Sequence, residues 1–236
     1  MFIQYQIQQT PINEFQINTT TEYNQEFSKV TQLSDGGYLI TWISDYTVQP
    51  YSYDGVFAQF YDESGRREGQ EFLLIDDVVG GGSYAINQLS DGNYYVAWTS
   101  GRELLGQVLD STLSPLGNEI VITNNPTERS SPYQSSIELL PSGDFVVTWI
   151  DDRSVVENGF SDVYGRIFSA EGLPTGYEFL INTTLESTQD QHHVSVLSDE
   201  GFIVAWTSYT YGSETGNYSL SAQMPTADAL ELSKRV

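Results

Sequence analysis

Asp151-Asp152-Arg153 is the one acidic–basic cluster that breaks the internal symmetry of this chain. Two adjacent carboxylates beside a guanidinium have the donor set for acid–base work on a glycosidic bond, or for holding a hard cation such as calcium. Asp76-Asp77 is a second carboxylate pair. Both pairs also read simply as strand ends, where short acidic side chains bond to nearby backbone. Tyrosine is the other chemically expressive residue. Tyr46, Tyr51, Tyr53, Tyr133, Tyr209 and Tyr211 stand among Asn, Asp and Ser in polar stretches. Amphipathic rings in that company suit recognition of carbohydrate or protein. His192 and His193 are the only histidines. Neighbours on a strand point to opposite faces, so the two do not readily share a metal. No phosphate-cradling glycine loop and no GxSxG elbow is present. The candidate ligand-binding set is therefore the six tyrosines with Asp151, Asp152 and Arg153. No residue is assigned as catalytic, and any metal ligands stay unknown.

These residues hang on a repeat. The four tryptophans, Trp42, Trp98, Trp149 and Trp206, are spaced 56, 51 and 57 residues apart. Each ends a phrase such as Leu33-Ser34-Asp35-Gly36-Gly37-Tyr38-Leu39-Ile40-Thr41-Trp42, which returns from Leu89, Leu140 and Leu197. Asp-Gly or Ser-Gly between two apolar runs signals a tight hairpin. A Glu-led apolar segment, such as Glu14-Phe15-Gln16-Ile17 or Glu119-Ile120-Val121-Ile122, begins each unit and a short strand around Val56–Phe60 or its equivalents ends it. Four strand signals per unit at this period predict an all-β repeat protein, with four-stranded antiparallel units arranged as a small or partial β-propeller. Alternate residues on the Trp strand are apolar on both faces, as expected for a strand covered on both sides. The small residue in the last strand of each unit (Ala58, Gly106, Gly165, Ala222) suggests crowding near an axis. The repeats run approximately 14–70, 71–118, 119–177 and 178–236 in one domain, with 1–13 supplying a strand that completes the first or last blade.

Parity of a four-stranded meander sends the short turns to one end and the long polar stretches to the other. The latter are 19–28, 124–136, 183–192, 44–55, 151–162 and 207–217. Binding residues favour irregular loops on a rigid scaffold, which marks that end as the functional face.

Composition narrows the partners. Thirty-two acidic residues against nine basic ones give a formal charge of -23. Such a surface repels phosphate backbones and anionic lipid, so nucleic acid is not an expected partner. No stretch reaches the length of a membrane span. There is no cysteine, so nothing depends on disulfides or thiolate metal sites. Met1-Phe2-Ile3-Gln4 lacks the basic and apolar regions of a signal peptide.

The phrase Leu-Ser-Asp-Gly-Gly-(Tyr/Phe)-x-(Ile/Val)-(Thr/Ala)-Trp, followed by (Val/Leu)-(Phe/Tyr)-(Ala/Gly)-Gln and Glu-Phe-x-Ile-Asn-Thr-Thr, resembles propeller-like repeats of large secreted bacterial and cyanobacterial adhesin-like proteins. These often accompany haemolysin-type calcium-binding modules. The resemblance covers about Glu14 to Gln223. It implies an extracellular or cell-surface setting reached without an N-terminal signal peptide, and leaves a cytoplasmic location open. The chain lacks the Gly-Gly-x-Gly-x-Asp tandem of that company, so calcium is an option without assigned ligands. The reading this favours is a non-catalytic adhesion module that contacts glycan or protein through loops of one face, weak sites adding by avidity. Its rivals are a glycan-active hydrolase with a loop carboxylate site at Asp151 and Asp152, and an assembly subunit whose end strands pair with a second copy.

Overall fold

A computed structural model describes residues 14–22, 24–48, 51–76, 78, 83–124, 130–153, 160–198, 201–210 and 217–225, with backbone alone for 45–48, 51–54, 210 and 217. The Tyr211 candidate, Asp77 and the 1–13 segment lie outside the described residues. Among those described there are fifteen strands and no helix. The first sheet is β1 (Gln25–Gln32), β2 (Tyr38–Val48), β3 (Tyr51–Tyr61) and β4 (Arg67–Ile75). The second is β5 (Tyr84–Gln88), β6 (Tyr94–Ser100), β7 (Glu103–Leu109) and β8 (Pro115–Val121). The third is β9 (Tyr133–Leu139), β10 (Phe145–Asp151), β11 (Asp162–Phe168) and β12 (Phe179–Leu180). The fourth is β13 (Thr188–Val196), β14 (Phe202–Thr210) and β15 (Asn217–Gln223). Each is an antiparallel meander in sequence order. The chain is thus all-β, a small or partial β-propeller.

Local chemistry explains the blades. In the β1–β2 turn Gly36 adopts φ 90°, its N–H donates to Leu33 O at 3.0 Å, and Asp35 Oδ1 accepts the Gly37 N–H at 2.9 Å. The same arrangement recurs at Gly92 and Gly143. A side chain at those φ values is strained, so glycine fixes the register that follows. The Trp-bearing strands alternate between two buried faces. Tyr94, Val96 and Trp98 pack on Leu39, Ile43, Val56 and Ala58 of the preceding blade. Phe145, Val147 and Trp149 pack on Ala85, Tyr95, Ala97 and Leu104. Phe202, Val204 and Trp206 pack on Val146, Ile150, Val163 and Ile167. All four tryptophans are buried, and β10 is buried along its whole length.

Two expectations are corrected. The small residues of β3, β7, β11 and β15 do not line the axis, because these strands are third in their sheets. Gly106 and Gly165 instead make room for side chains of adjoining strands. A Cβ at Gly106 would come within 2.1 Å of Tyr95 Oη, and one at Gly165 within 3.0 Å of the Phe179 ring. Tyr95 has no exposed surface and is wedged against Phe145 and Phe168, at 4.6 and 5.4 Å between ring centroids. It therefore cannot swing aside, and Gly106→Ala is expected to destabilise by about 1–3 kcal/mol through overpacking. Urea denaturation checks this; a variant as stable as the parent contradicts it. The second correction concerns 44–55 and 207–217. The first is a hairpin arm, because β2 and β3 stay paired out to Val48 and Tyr51. The second is strand up to Thr210 and again from Asn217.

Candidate functional site

The strands that face the axis are the first of each sheet, β1, β5, β9 and β13. Hydrogen bonds run between them across sheet boundaries. Thr31 Oγ1 donates to Ile86 O at 3.3 Å and Asn87 Nδ2 to Ile137 O at 3.0 Å. Gln134 Nε2 donates to Asp190 Oδ1 at 2.9 Å, and the Gln191 N–H donates to Gln134 Oε1 at 3.0 Å.

Three of these strands carry the same irregularity. Register shifts occur at β1 between Glu26 and Lys29, opposite Thr148–Ile150 in β9, and at β13 between Asp190 and His193. Each bulge places a non-glycine residue at positive φ: Phe27 at 53°, Gln134 at 51° and Gln191 at 52°. These residues stand six places before Leu33, Leu140 and Leu197. Bulges re-aim side chains, and left-handed conformations at non-glycine residues persist only where surrounding structure enforces them.

All three bulges border one axial cavity of about 720 Å³, walled by β1, β5, β9 and β13. Its wall includes Phe27, Ser28, Lys29, Tyr84, Tyr133 and His192, with Ser83, Ser135 and Ser136 between them. Lys29 Nζ donates to Tyr84 O at 2.5 Å and approaches Ser135 O at 3.4 Å, and it lies 5.0 Å from the Tyr84 ring centroid. Burial lowers its pKa to about 8. Tyr84 is locked: its hydroxyl donates to Phe27 O at 3.0 Å and shares a 2.9 Å hydrogen bond with Thr41 Oγ1. His192 makes the equivalent contact one blade pair later, Nε2 to Thr148 Oγ1 at 2.8 Å. Its Nδ1 is buried without a hydrogen-bond partner among the described residues. That nitrogen is donor or acceptor according to which way the Thr148 hydroxyl proton points. Lys29 also lines a smaller cavity of about 340 Å³ beyond it, shared with Thr31, Asn87 and Glu138, whose carboxyl burial pushes up.

Burial, with the nearby His193 and Lys29 adding, holds the His192 pKa down to about 4 from 6.5. Between those values the unfolded chain binds the extra proton, so stability rises with pH across this window and is lost as pH falls through it. At 1.36 kcal/mol per unit the loss is about 3 kcal/mol once pH 4 is reached. Urea unfolding at pH 7 and 4.5 is expected to show a smaller acid loss for His192→Gln than for the parent; equal losses contradict the assignment.

The residues singled out from sequence disperse. Tyr133 lines the axial cavity; its hydroxyl donates to Ser161 Oγ at 3.2 Å, and burial pushes its pKa up to about 12. Ser161 Oγ in turn donates to Asp152 Oδ1 at 2.6 Å. Asp151 and Arg153 face inward and are not exposed loop groups. Asp151 is 0% exposed, accepts the Ser131 and Arg153 N–H groups, each at 3.1 Å, and pairs with Arg153 Nε at 3.4 Å. Arg153 also pairs with Glu178 at 2.8 Å and lies over the Tyr164 ring at 4.0 Å. Burial raises the Asp151 pKa to about 6 in spite of that guanidinium. Tyr209 sits opposite Tyr218 across β14 and β15, with ring centroids 4.9 Å apart. Tyr46 stands opposite Tyr53, and Tyr51 opposite Val48, in the hairpin arm. Among the described residues no group of three or more His, Asp or Glu is placed to hold a metal ion.

The sequence reasoning missed Lys29, Tyr84 and His192 as a set. They lie at or next to one repeat position, five before Leu33, Leu89, Leu140 and Leu197, where the chain has Ser28, Tyr84, Ser135 and His192. The signal was the lack of agreement there, in a repeat otherwise uniform.

No family model and no curated protein matches the sequence. Solved structures do match in shape. The α-L-arabinanase of Penicillium chrysogenum complexed with arabinobiose superposes with a TM-score of 0.62 at 12% identity, covering 86% of this chain and 64% of the arabinanase. The α-L-arabinofuranosidase of Fusarium graminearum complexed with arabinobiose gives 0.58 at 11% identity, over 87% of this chain and 64% of that one. An ulvan lyase, a polysaccharide lyase, gives 0.57 at 12% identity, over 86% and 56%. The chain thus spans less than two thirds of the length of each of these three. These neighbours are glycan-active enzymes, and the expectation of a non-catalytic adhesion module is corrected accordingly. At such identities the likeness shows a shared fold, the β-propeller-like arrangement derived above.

Proposed function

We propose that this protein is a glycan-active enzyme that receives its sugar chain in the axial cavity. The observation that carries the reading is the convergence there of Lys29, Tyr133 and His192 from three blades, with the His192 Nδ1 left without a partner among the described residues. Catalytic and binding sites combine a formed concavity with a few polar groups whose protonation the surroundings have shifted. Phe27 and Tyr133 offer flat apolar faces for pyranose or furanose rings, while Ser28, Ser83 and Ser135 offer hydroxyls for sugar oxygens. His192, neutral at pH 7, borders the cavity with one ring nitrogen held by Thr148; the other is buried, so it exchanges a proton with substrate only when the wall opens around it. The arabinobiose complexes of the two arabinose-processing neighbours support a carbohydrate as the class of ligand. The internal pairing of Asp151 turns the reading away from the loop cluster.

The test is incubation of the full chain with arabinan, galactan, pectic galacturonan and ulvan, followed by assay of new reducing ends. Cleavage of at least one polymer is expected. Intact polymers across the panel, with no oligosaccharide bound in calorimetry, would overturn the reading.

A further inference from the structure

We propose that Lys29 is an anion-recognition residue of the axial cavity, so that the glycan entering it carries a carboxylate or sulfate group. This rests on the cavity being the glycan site and names the class of glycan.

Three observations converge. The chain has thirty-two acidic and nine basic residues, so a cation in the cavity wall is a scarce feature. Arg66 and Arg153 each make an ion pair, whereas Lys29, like Arg67, Arg102 and Arg166, makes none among the described residues; of these four only Lys29 lines the axial cavity. Among the described residues its ammonium bonds to two backbone carbonyls, Tyr84 O of β5 and Ser135 O of β9. An ammonium has three N–H donors, so one remains for a ligand. A charge withdrawn from water without a counter-charge is costly, and a ligand anion would supply the missing partner. Burial lowers the Lys29 pKa, and no neighbouring charge offsets that effect.

The surroundings suit an anion. Tyr84 from β5, Tyr133 from β9 and His192 and His193 from β13 share the wall with Lys29, and none is a carboxylate. None of the three carboxylates of the inner strands lines this cavity: Glu26 is exposed and borders a separate one. Asp190 accepts from Gln134 Nε2 at 2.9 Å and from the Gln191 N–H at 2.8 Å, and Glu138 lines the smaller cavity. Ser135 Oγ stands 3.4 Å from Ser83 Oγ, a hydroxyl pair able to donate to anionic oxygens. With a net charge of -23, the protein as a whole repels acidic glycans. Selection of one therefore requires a local cation.

Calorimetry on the full chain tests this with four probes: oligogalacturonate, its methyl ester, a sulfated galactan oligosaccharide and the unsulfated counterpart. At low salt an acidic probe is expected to bind about tenfold or more tighter than its neutral partner, an advantage that shrinks as salt screens the pair. Whichever acidic arm shows the advantage identifies the anion as carboxylate or sulfate. Lys29→Met is expected to abolish the advantage and Lys29→Arg to keep part of it. If Lys29→Met fails to fold, the salt titration of the parent and the Arg variant decide. Equal affinity for acidic and neutral probes, or an advantage that survives in Lys29→Met, overturns the proposal while leaving glycan binding intact. Absence of binding by all four overturns the proposal, and overturns the glycan-site reading with it if no polymer of the wider panel is cleaved.

Discussion

Arg153→Met is expected to lower stability by about 3–5 kcal/mol, the loss that follows when one partner of a buried pair is removed. Asp151 would be left with 0% exposure and no counter-charge, and Glu178 would lose its 2.8 Å partner. The guanidinium also donates to Asn124 O at 2.8 Å and covers the Tyr164 ring, contacts that a thioether replaces only as bulk. The sign of the pH effect follows from the charge left behind. Burial already lifts the Asp151 pKa to about 6; without Arg153 it rises further, so the variant's deficit shrinks as pH falls and the carboxyl takes up a proton. Guanidinium denaturation of both proteins at pH 5 and 8 reads this directly. A deficit that is small, or that grows on acidification, shows that the pair does not carry the load assigned to it.

Trp149→Ala should be comparably damaging, about 3–5 kcal/mol, since truncating a fully buried aromatic leaves a cavity between rigid sheets. Trp149 is 0% exposed, stacks on Tyr164 at 6.1 Å, and joins the core between the second and third blades. Its indole nitrogen makes no hydrogen bond among the described residues. Trp149→Phe therefore forfeits packing alone and should cost less than half as much. Thermal unfolding of the two variants checks the ratio. Equal losses would mean that a polar contact, not volume, holds this ring.

The blades were legible because their causes are local. A Gly at positive φ, a period-two apolar pattern and a closing Trp each act within about ten residues, and they recur at Leu33, Leu89, Leu140 and Leu197. Which strand faces the axis was not legible in the same way. The small residues of β3, β7, β11 and β15 suggested crowding there, yet the clashes that Gly106 and Gly165 avoid are with Tyr95 and Phe179. The candidate site was hidden for a related reason. Lys29, Tyr84 and His192 are 55 and 108 residues apart and meet only when the inner strands close around the axis. One trace did exist in the sequence. The residue before Trp is Thr in the first and third repeats and Ala in the second and fourth. Each Thr bonds the large polar residue of the following blade, Thr41 with Tyr84 and Thr148 with His192. The charge cluster misled in the opposite direction: Asp151 and Arg153 break the repeat because the third blade ties itself to Glu178, not because they face a ligand.

The most direct test of the axial site compares two variants on whichever polysaccharide the full chain cleaves. Turnover in His192→Ala, assayed well below that variant's own melting temperature, is expected to fall by about 100-fold or more, the usual share of a proton-transferring group. Tyr209→Ala, in the pair that Tyr209 forms with Tyr218 away from the axis, should leave turnover within about twofold. The reverse pattern, with turnover intact in His192→Ala and lost in Tyr209→Ala, would place the chemistry outside the axial cavity and contradict the account.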